Sequence, residues 1–279
     1  MENIALDKIK IQLGSVQETL LIPLFGRAES TRQRSGLIND PIAVTIVNRL
    51  DYDFSKWQSA FGLVGSNIRT RMMDEEVATF LSRYPDGTVI EIGCGLNTRY
   101  ERLDNGRARW IEIDLPDSMK LRRQFFNNTA RRTMLSASVM ETDWLNAVAK
   151  ARPPYCFISE AAMIYLDNHQ VQQAIEQIGQ RFSGAWFITD TASSTMVVRQ
   201  DQHDIMKNMS RESWFRWQCD EPESLRDWGL RLVQSRHFLQ APKAILTSLP
   251  WPYRWVFKYL PWLIRRRLEG YKINRFVFR

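Results

Sequence analysis

The stretch that decides the fold is Thr88-Val89-Ile90-Glu91-Ile92-Gly93-Cys94-Gly95. It begins as a short, β-branched and mostly apolar run, which is typical of a strand buried inside a parallel sheet. It ends in two glycines, which tolerate the backbone angles of a sharp turn and let a ligand approach the main chain closely. Because ligands of open α/β sheets bind beyond the carboxyl ends of the strands, the stretch predicts a strand followed by a binding loop.

Short apolar runs alternate with helical patterns on both sides of this stretch. The predicted strands are Thr88 to Ile92, Ala108 to Leu115, Thr133 to Val139, Tyr155 to Ser159, Ala185 to Thr189, Leu230 to Phe238 and Ile273 to Phe278. The predicted helices are Ser15 to Leu24, one that starts at Asp40-Pro41-Ile42, Thr70 to Tyr84, Ser118 to Phe126 and Asn168 to Arg181. The alternation predicts an α/β protein with a parallel sheet wound on both faces. We expect one integrated domain, with a helical cap over residues 1–85, a sheet core over 86–240 and a last segment over 241–279.

Polar residues follow the later strands in the same way as the glycines follow the first. Asp114 ends the second predicted strand, 19 residues after Gly95, and an acidic side chain there can accept hydrogen bonds from both ribose hydroxyls. Ser138 and Val139 stand at the end of the third strand and can line an adenine pocket, and Glu160 follows the fourth, where it can face a cation. Leu96, Asn97 and Thr98 stand where a dinucleotide fingerprint has its third glycine, which argues against NAD.

Composition and charge exclude several classes of protein. The chain has 279 residues, of which 44% are hydrophobic and 25% charged, as in globular proteins. Residues 1–10 lack the apolar core of a signal peptide, and no run of 18 apolar residues predicts a membrane span. Three distant cysteines, Cys94, Cys156 and Cys219, fit a reducing cytosol and lack metal-ligand spacing. We therefore expect a cytoplasmic protein without a metal site.

The net charge of +7 is concentrated in one segment. Residues 254–279 contain eight Lys and Arg residues against Glu269 alone, so this segment carries +7 and the remainder is formally neutral. A nucleic-acid footprint needs more than one local cluster, so we expect no nucleic-acid partner.

A set of stretches resembles a known family. The set comprises the cap stretch Ser15 to Asp40, the basic stretch Ile68-Arg69-Thr70-Arg71 with Asp74, and four blocks after strands, Glu91 to Thr98, Glu112 to Pro116, Ser138 to Trp144 and Glu160 to Leu166. Together they resemble the leucine carboxyl methyltransferase family over residues 14–190, and most closely its bacterial branch, which includes the polyketide O-methyltransferases of tetracenomycin type. The resemblance implies a Rossmann-like class I methyltransferase fold, with a mainly parallel seven-stranded sheet, a helical N-terminal cap and a C-terminal lid insertion.

The resemblance also implies S-adenosyl-L-methionine as cofactor. Arg69 or Arg71 would hold its methionyl carboxylate, since a guanidinium bonds a carboxylate bidentately, and spacing does not decide between the two. The other implied cofactor-binding residues are Glu91, Gly93 and Gly95 in the loop, Asp114 at the ribose, Ser138 and Val139 near the adenine, and Glu160 near the amino group. The Ser138-Val139 pair departs from the Asp-Leu of the eukaryotic protein-phosphatase enzymes, which speaks against that substrate.

Methyl transfer from a sulfonium is an in-line displacement, so alignment of the reactants dominates catalysis. A carboxylate acceptor is already ionised at neutral pH and needs no base, whereas a phenol or enol needs one. The candidate catalytic residues are Tyr165 and His203, with Asp190 as a third possible base.

The segment Leu249 to Leu263 combines aromatic residues with prolines and precedes three arginines. One interpretation is a lid over a flat, apolar, acidic acceptor, which would be contacted by Trp251, Tyr253, Arg265 and Arg266. The alternatives are a membrane-surface anchor, although the prolines argue against one long amphipathic helix, and plain core packing.

The predicted function is O-methylation of a carboxylate or of a phenol or enol oxygen on a small, polyketide-like acceptor. Methylation of a protein C-terminus and a membrane-associated enzyme with a lipophilic acceptor are the alternatives, together with a cofactor-binding protein that has lost catalysis. The sequence predicts no oligomeric state.

Overall fold

The computed structural model describes residues 8–34, 36–58 and 61–279, without the side chains of Arg266 and Arg267. Its centre is a seven-stranded sheet with the spatial order β3-β2-β1-β4-β5-β7-β6. The strands are β1 (Thr88–Ile92), β2 (Arg109–Asp114), β3 (Arg132–Ser136), β4 (Tyr155–Ser159), β5 (Trp186–Ala192), β6 (Leu230–His237) and β7 (Tyr271–Phe278). Strands β1 to β5 run parallel, and β7 pairs antiparallel with both β5 and β6. The predicted α/β class with a mainly parallel sheet is confirmed.

The register of the three central strands brings their carboxyl ends to one level. Ile92 at the end of β1 pairs with Ile113 of β2 on one side and with Ser159 of β4 on the other. The chain order reverses at β1, since β2 lies on one side of it and β4 on the other. Ligands of open α/β sheets bind at such a switch point, and the residues that follow the three strands meet there.

Helices cover both faces of the sheet and its carboxyl edge. They are α1 (Leu21–Arg32), α2 (Pro41–Arg49), α3 (Phe61–Arg83), α4 (Arg99–Leu103), α5 (Pro116–Arg122), α6 (Asp143–Ala149), α7 (Asn168–Arg181), α8 (Ser194–Val198), α9 (Lys243–Ser248), α10 (Trp251–Tyr259) and α11 (Pro261–Leu268). Asp40 caps α2 as its sequence predicts, because the carboxylate accepts the Ala43 N–H at 2.9 Å and Pro41 occupies the first turn. Among the described residues, no helix is long and apolar enough to cross a membrane.

Several elements differ from the predicted boundaries. Helix α1 covers Leu21–Arg32 rather than Ser15 to Leu24, because Gln17–Leu20 forms a separate 3-10 turn before it. Helix α3 begins at Phe61, nine residues before the predicted start at Thr70. Gly62 and Gly65 weaken the local helical signal, and burial of Leu63 and Ile68 compensates for it in the folded chain. Strand β3 ends at Ser136 rather than at Val139, so Ser138 and Val139 lie in the loop after it.

The segment rich in Trp, Pro and Arg forms three short helices, α9 to α11. Pro250 precedes α10 and Pro261 begins α11, and each proline interrupts the helical hydrogen bonding of the residues before it. The segment is continuous with β7, which inserts between β5 and β6. The division of the chain at residues 85 and 240 remains a prediction.

Candidate active site

A cavity of about 790 Å³ lies at the carboxyl ends of the central strands. Its floor is formed by the residues that follow β1, β2, β3 and β4, and its other walls come from the cap, from α3 and from the C-terminal third. The residues of the predicted site that line it are Arg69, Gly93, Gly95, Asp114, Ser138, Val139, Glu160, Tyr165 and His203. Sequence reasoning therefore identified nine residues of one cavity wall from six separate stretches of the chain.

The loop after β1 makes a turn that requires glycine. Gly93 and Gly95 have φ values of 69° and 46°, a region that side chains other than glycine rarely adopt. A Cβ atom on Gly93 would lie 2.2 Å from the Cβ of Ala162 in the loop after β4. The missing side chain therefore allows the loops after β1 and β4 to pack against each other.

Asp114 lies beside this turn at the end of β2. Its Oδ2 accepts the Gly95 N–H at 2.6 Å, and its Oδ1 accepts the Leu115 N–H at 2.8 Å. Burial raises the pKa of Asp114 above its ordinary value, although both backbone bonds oppose that effect. The carboxylate is held rigidly against the loop, with a further hydrogen bond from the Ser118 side chain, and it still lines the cavity.

Glu160 at the end of β4 is surrounded by donors. Its Oε1 accepts bonds from Arg69 Nε at 3.0 Å and Thr70 Oγ1 at 2.6 Å, and its Oε2 accepts bonds from Arg99 Nη2 at 2.5 Å and Asn97 Nδ2 at 3.3 Å. Burial alone would raise the pKa of Glu160, but the two guanidinium groups hold it well below its ordinary value. Glu160 is therefore a permanent anion that joins α3, α4 and the loop after β1.

Glu91 lies behind the loop rather than in the cavity. It is fully buried in β1, and it accepts hydrogen bonds from Arg99 and from Asn97 Nδ2, the latter at 2.9 Å. Burial raises its pKa to about 7, and its second carboxylate oxygen has no protein partner. Within the described residues, Glu91 is not part of the cavity wall, so its predicted role next to the cofactor is replaced by a contact with Arg99.

The two candidate arginines of α3 point in different directions. Residues two positions apart on a helix are separated by roughly 200°, so only one of them can face the cavity. Arg69 lines the cavity and donates to Glu160, to Ser66 Oγ at 3.3 Å and to Tyr271 Oη at 3.2 Å. Arg71 lines a smaller, separate cavity on the other side of the helix.

The candidate bases have different surroundings. Tyr165 lines the cavity, and burial raises its pKa to about 12. His203 also lines it, with Nδ1 at 3.4 Å from Asp204 Oδ1. Asp190 is fully buried and is not among the described residues of the wall. It accepts the Tyr271 hydroxyl and the Ala161 N–H at 2.9 Å, which holds Ala161 at a φ of 48°, so Asp190 is a positioning residue and not a base.

Sequence reasoning missed Arg27, which lines the cavity from α1 and is 1% exposed. Its Nε donates to Asp40 Oδ2 at 2.8 Å and its Nη2 donates to the Leu96 carbonyl at 2.8 Å. Burial lowers its pKa, although Asp40 opposes that effect. Arg27 lies inside the cap stretch, but helical periodicity gives no reason to select one arginine of α1.

The predicted acceptor-contacting residues are not on the cavity wall among the described residues. Trp251 is 69% exposed, Arg265 pairs with Glu269 at 2.6 Å, and Tyr253 packs with its ring centroid 5.4 Å from that of Phe61. The side chain of Arg266 lies outside the described residues. The C-terminal third instead contributes Phe215, Phe238, Leu263 and Leu268 to the wall. The predicted lid segment therefore reaches the cavity wall through Leu263, whereas the described wall gives no support for acceptor contacts by Trp251, Tyr253 and Arg265.

Comparison with known proteins agrees with this geometry. The sequence model of the leucine carboxyl methyltransferase family matches residues 21–179. The chain is 29% identical to the tetracenomycin polyketide synthesis O-methyltransferase TcmP of Streptomyces glaucescens, over 83% of this chain and 86% of that protein. It is 26% identical to the S-adenosyl-L-methionine-dependent methyltransferase dpfgK of Gibberella zeae, over 94% and 95%. A suggested methyltransferase from Thermobifida fusca has the same fold, with 12% identity, a TM-score of 0.54 and coverage of 91% and 94%.

The contact between Gly93 and Ala162 leads to a mutational prediction. Gly93→Ala is expected to destabilise the protein by more than the roughly 1–2 kcal/mol of the unfavourable φ alone, because the new Cβ also collides with Ala162. Gly106→Ala is the matched control, since Gly106 has a φ of 75° and open space around its Cβ position. Thermal unfolding of both variants, and of Gly93→Ala combined with Ala162→Gly, measures the collision. Equal losses in the two single variants would contradict it.

Proposed function

We propose that this chain, which belongs to the leucine carboxyl methyltransferase family and is an S-adenosylmethionine-dependent methyltransferase, methylates an oxygen atom of a small, largely apolar acceptor. The observation that carries the proposal is a single cavity whose wall combines two unlike sets of side chains. We call the fixed charges Arg69, Asp114 and Glu160 its charged half, and the side chains of Phe215, Phe238, Leu263 and Leu268 its apolar half. Its volume of about 790 Å³ lies in the upper part of the roughly 300–1,000 Å³ range of small-molecule sites.

The charged half fits the cofactor in three places. Arg69 offers a buried guanidinium for the methionyl carboxylate, and Arg27 supplies a second cation nearby on the same wall. Asp114 offers two carboxylate oxygens to the ribose hydroxyls, and the loop around Ser138 and Val139 is the corresponding position for the adenine. These assignments follow the order of the blocks along the chain and the chemistry of the groups present.

Glu160 is assigned to the cofactor amino group, with a condition that the geometry imposes. A carboxylate has about four acceptor positions, and side chains of this chain already use all four. The Asn97 bond is the longest of them at 3.3 Å, and we expect the ammonium group to replace it.

The apolar half is the part of the cavity that would bind the acceptor and orient its nucleophilic oxygen. S-adenosylmethionine supplies an electrophilic methyl group on a sulfonium, and transfer needs a nucleophilic oxygen in line with it. The apolar walls exclude water, which strengthens the interactions of the charged groups at the other end. Tyr165 stays protonated at neutral pH because its pKa is raised to about 12, so it acts as a hydrogen-bond donor that orients the acceptor. His203 remains the candidate base for a phenol or enol.

The polyketide-like acceptor is supported by the likeness to TcmP and by the apolar wall. Transfer of a radiolabelled methyl group tests it on a panel of flat aromatic acids, phenols and a peptide with a C-terminal leucine. We expect label on the small acceptors, and its release by mild base identifies an ester, whereas an ether retains it. His203→Ala is expected to slow transfer to phenols and to leave transfer to carboxylates unchanged. Preferential labelling of the peptide would contradict the proposal.

The role of Asp114 predicts a large loss of cofactor affinity. Asp114→Ala removes two hydrogen bonds to a charged acceptor, each worth about 1.5–3 kcal/mol, so affinity should fall on the order of 100-fold or more. Calorimetry with S-adenosylhomocysteine measures this loss. Asp227→Ala, at an exposed position, serves as the control and should bind normally. Unchanged affinity in a folded Asp114→Ala protein would remove Asp114 from the ribose site.

The two arginines of α3 are expected to differ sharply. Arg69→Ala should weaken cofactor binding on the order of tenfold or more, because a charge-assisted bond is lost, whereas Arg71→Ala should leave affinity unchanged. Arg69→Lys should be intermediate, since an ammonium keeps the charge and loses the bidentate geometry. Calorimetry on the three variants, with thermal unfolding as a check of folding, decides the matter. Equal effects of both alanine variants would contradict the assignment.

A further inference from the structure

Four large aromatic side chains are exposed on α10 and α11. Trp251, Trp255 and Tyr259 follow one another at intervals of four residues, which places them on one face of α10, and Trp262 is exposed at the start of the next helix, α11. Their exposed fractions are 69%, 46%, 55% and 67%. The opposite side of α10 packs inward through Phe257, so the exposed aromatic side chains are not required for the core.

Basic side chains flank these aromatic residues. Arg254 and Lys258 are exposed on α10, and the Lys258 ammonium lies 4.9 Å from the centroid of the Tyr259 ring. Within the described residues, α10 contains no acidic residue, and the segment 254–279 carries the whole net charge of the protein. We call Trp251, Trp255, Tyr259 and Trp262 with Arg254 and Lys258 the aromatic–basic face.

This face also borders the cavity. Leu263 follows Trp262, is 54% exposed, and is at the same time part of the cavity wall. Because Leu263 is exposed to solvent and also lines the cavity, it lies at the entrance of the cavity. A surface that covers the aromatic–basic face therefore lies next to the entrance of the apolar half.

We propose that the aromatic–basic face docks on an anionic lipid surface. Tryptophan and tyrosine favour the headgroup level of a bilayer, and lysine and arginine next to them are attracted by anionic headgroups. The pattern of one aromatic and one basic row on a short helix fits a flat, negatively charged and partly apolar surface. A lipophilic acceptor dissolved in the bilayer would then reach the cavity mouth at Leu263, a consequence that rests on the proposed function.

Cosedimentation with vesicles tests the docking. The protein is expected to bind vesicles of phosphatidylcholine with phosphatidylglycerol more tightly than vesicles of phosphatidylcholine alone, and salt should weaken the difference. Arg254→Gln with Lys258→Gln should lower the partition coefficient on the order of tenfold or more. The matched control, Lys120→Gln with Lys150→Gln, removes the same charge from exposed positions elsewhere and should bind like the wild type.

The role of the aromatic side chains is tested by a second pair of variants. Trp251→Ala with Trp255→Ala and Trp262→Ala is expected to abolish vesicle binding, whereas Ile42→Ala with Val233→Ala, at other exposed apolar positions, should not. Leu263→Cys labelled with an environment-sensitive dye should shift its emission to the blue on anionic vesicles, and labelled Val233→Cys should not. The three native cysteines are buried, so the introduced thiol is the accessible one.

The outcomes separate the docking from the methyl transfer. Absence of wild-type binding to anionic vesicles would overturn the docking proposal. So would light scattering that shows a dimer in the wild type and a monomer in the tryptophan variant, because a second copy of the chain would then cover the face. Calorimetry with S-adenosylhomocysteine on the Arg254→Gln/Lys258→Gln variant and on the tryptophan variant should give wild-type affinity. If the wild type does not bind S-adenosylhomocysteine, the proposed cofactor site is contradicted and the docking proposal is not affected.

Discussion

The site depends on a buried network of charges that ties the loops after β1 and β4 to the helices above them. Arg99 in α4 contacts three carboxylates, those of Asp74, Glu91 and Glu160, and is itself fully buried. Removing such charges from water is costly, and the cost is offset only when every charge has partners in good geometry. Arg69 adds a second cation next to Glu160 and Asp190. The turn at Gly93 and the loop after Glu160 are therefore held in one arrangement before any ligand binds, which lowers the entropic cost of binding.

The local pattern of apolar and turn residues was sufficient to predict the strands of the sheet, but it was not sufficient to predict the segments around the sheet. Residues Thr88–Ile92 and Tyr155–Ser159 are strands as predicted, because a short apolar run between turn residues has few other uses in an α/β chain. Helix α3 was predicted too short, since Gly62 and Gly65 obscure its start and only packing against the rest of the protein compensates for them. The C-terminal helices resisted prediction because prolines and aromatic residues have no single periodic meaning.

The site was predictable where its residues follow strands. Gly93 and Glu160 come directly after paired strands and Asp114 ends another, so the pairing of the strands brings these three residues to the same edge of the sheet. Glu91 was assigned to the same cavity and instead faces Arg99, because alternation along a strand sends neighbouring residues to opposite faces. The sequence did not predict Arg27 as a site residue. Its side chain is held in place by the Leu96 carbonyl, which lies 69 positions further along the chain. Long-range contacts of this kind leave no local signal.

The distribution of these ion pairs also determines where relatives of this protein can be recombined. Arg27 and Asp40 form a pair within α1 and the residues before α2, so that part of the cap is balanced in charge on its own. Helix α3 is different, because its Arg69 serves Glu160 and contacts Tyr271 of the last strand. A chimera joined after α3 would separate this cation from its buried partners, whereas one joined between α2 and α3 keeps Arg27 with Asp40 and divides only the longer contact of Asp40 with Arg102, at 3.7 Å, among the buried ion pairs of the described residues. Gene shuffling should therefore exchange α1 and α2 as a unit and inherit α3 with the sheet.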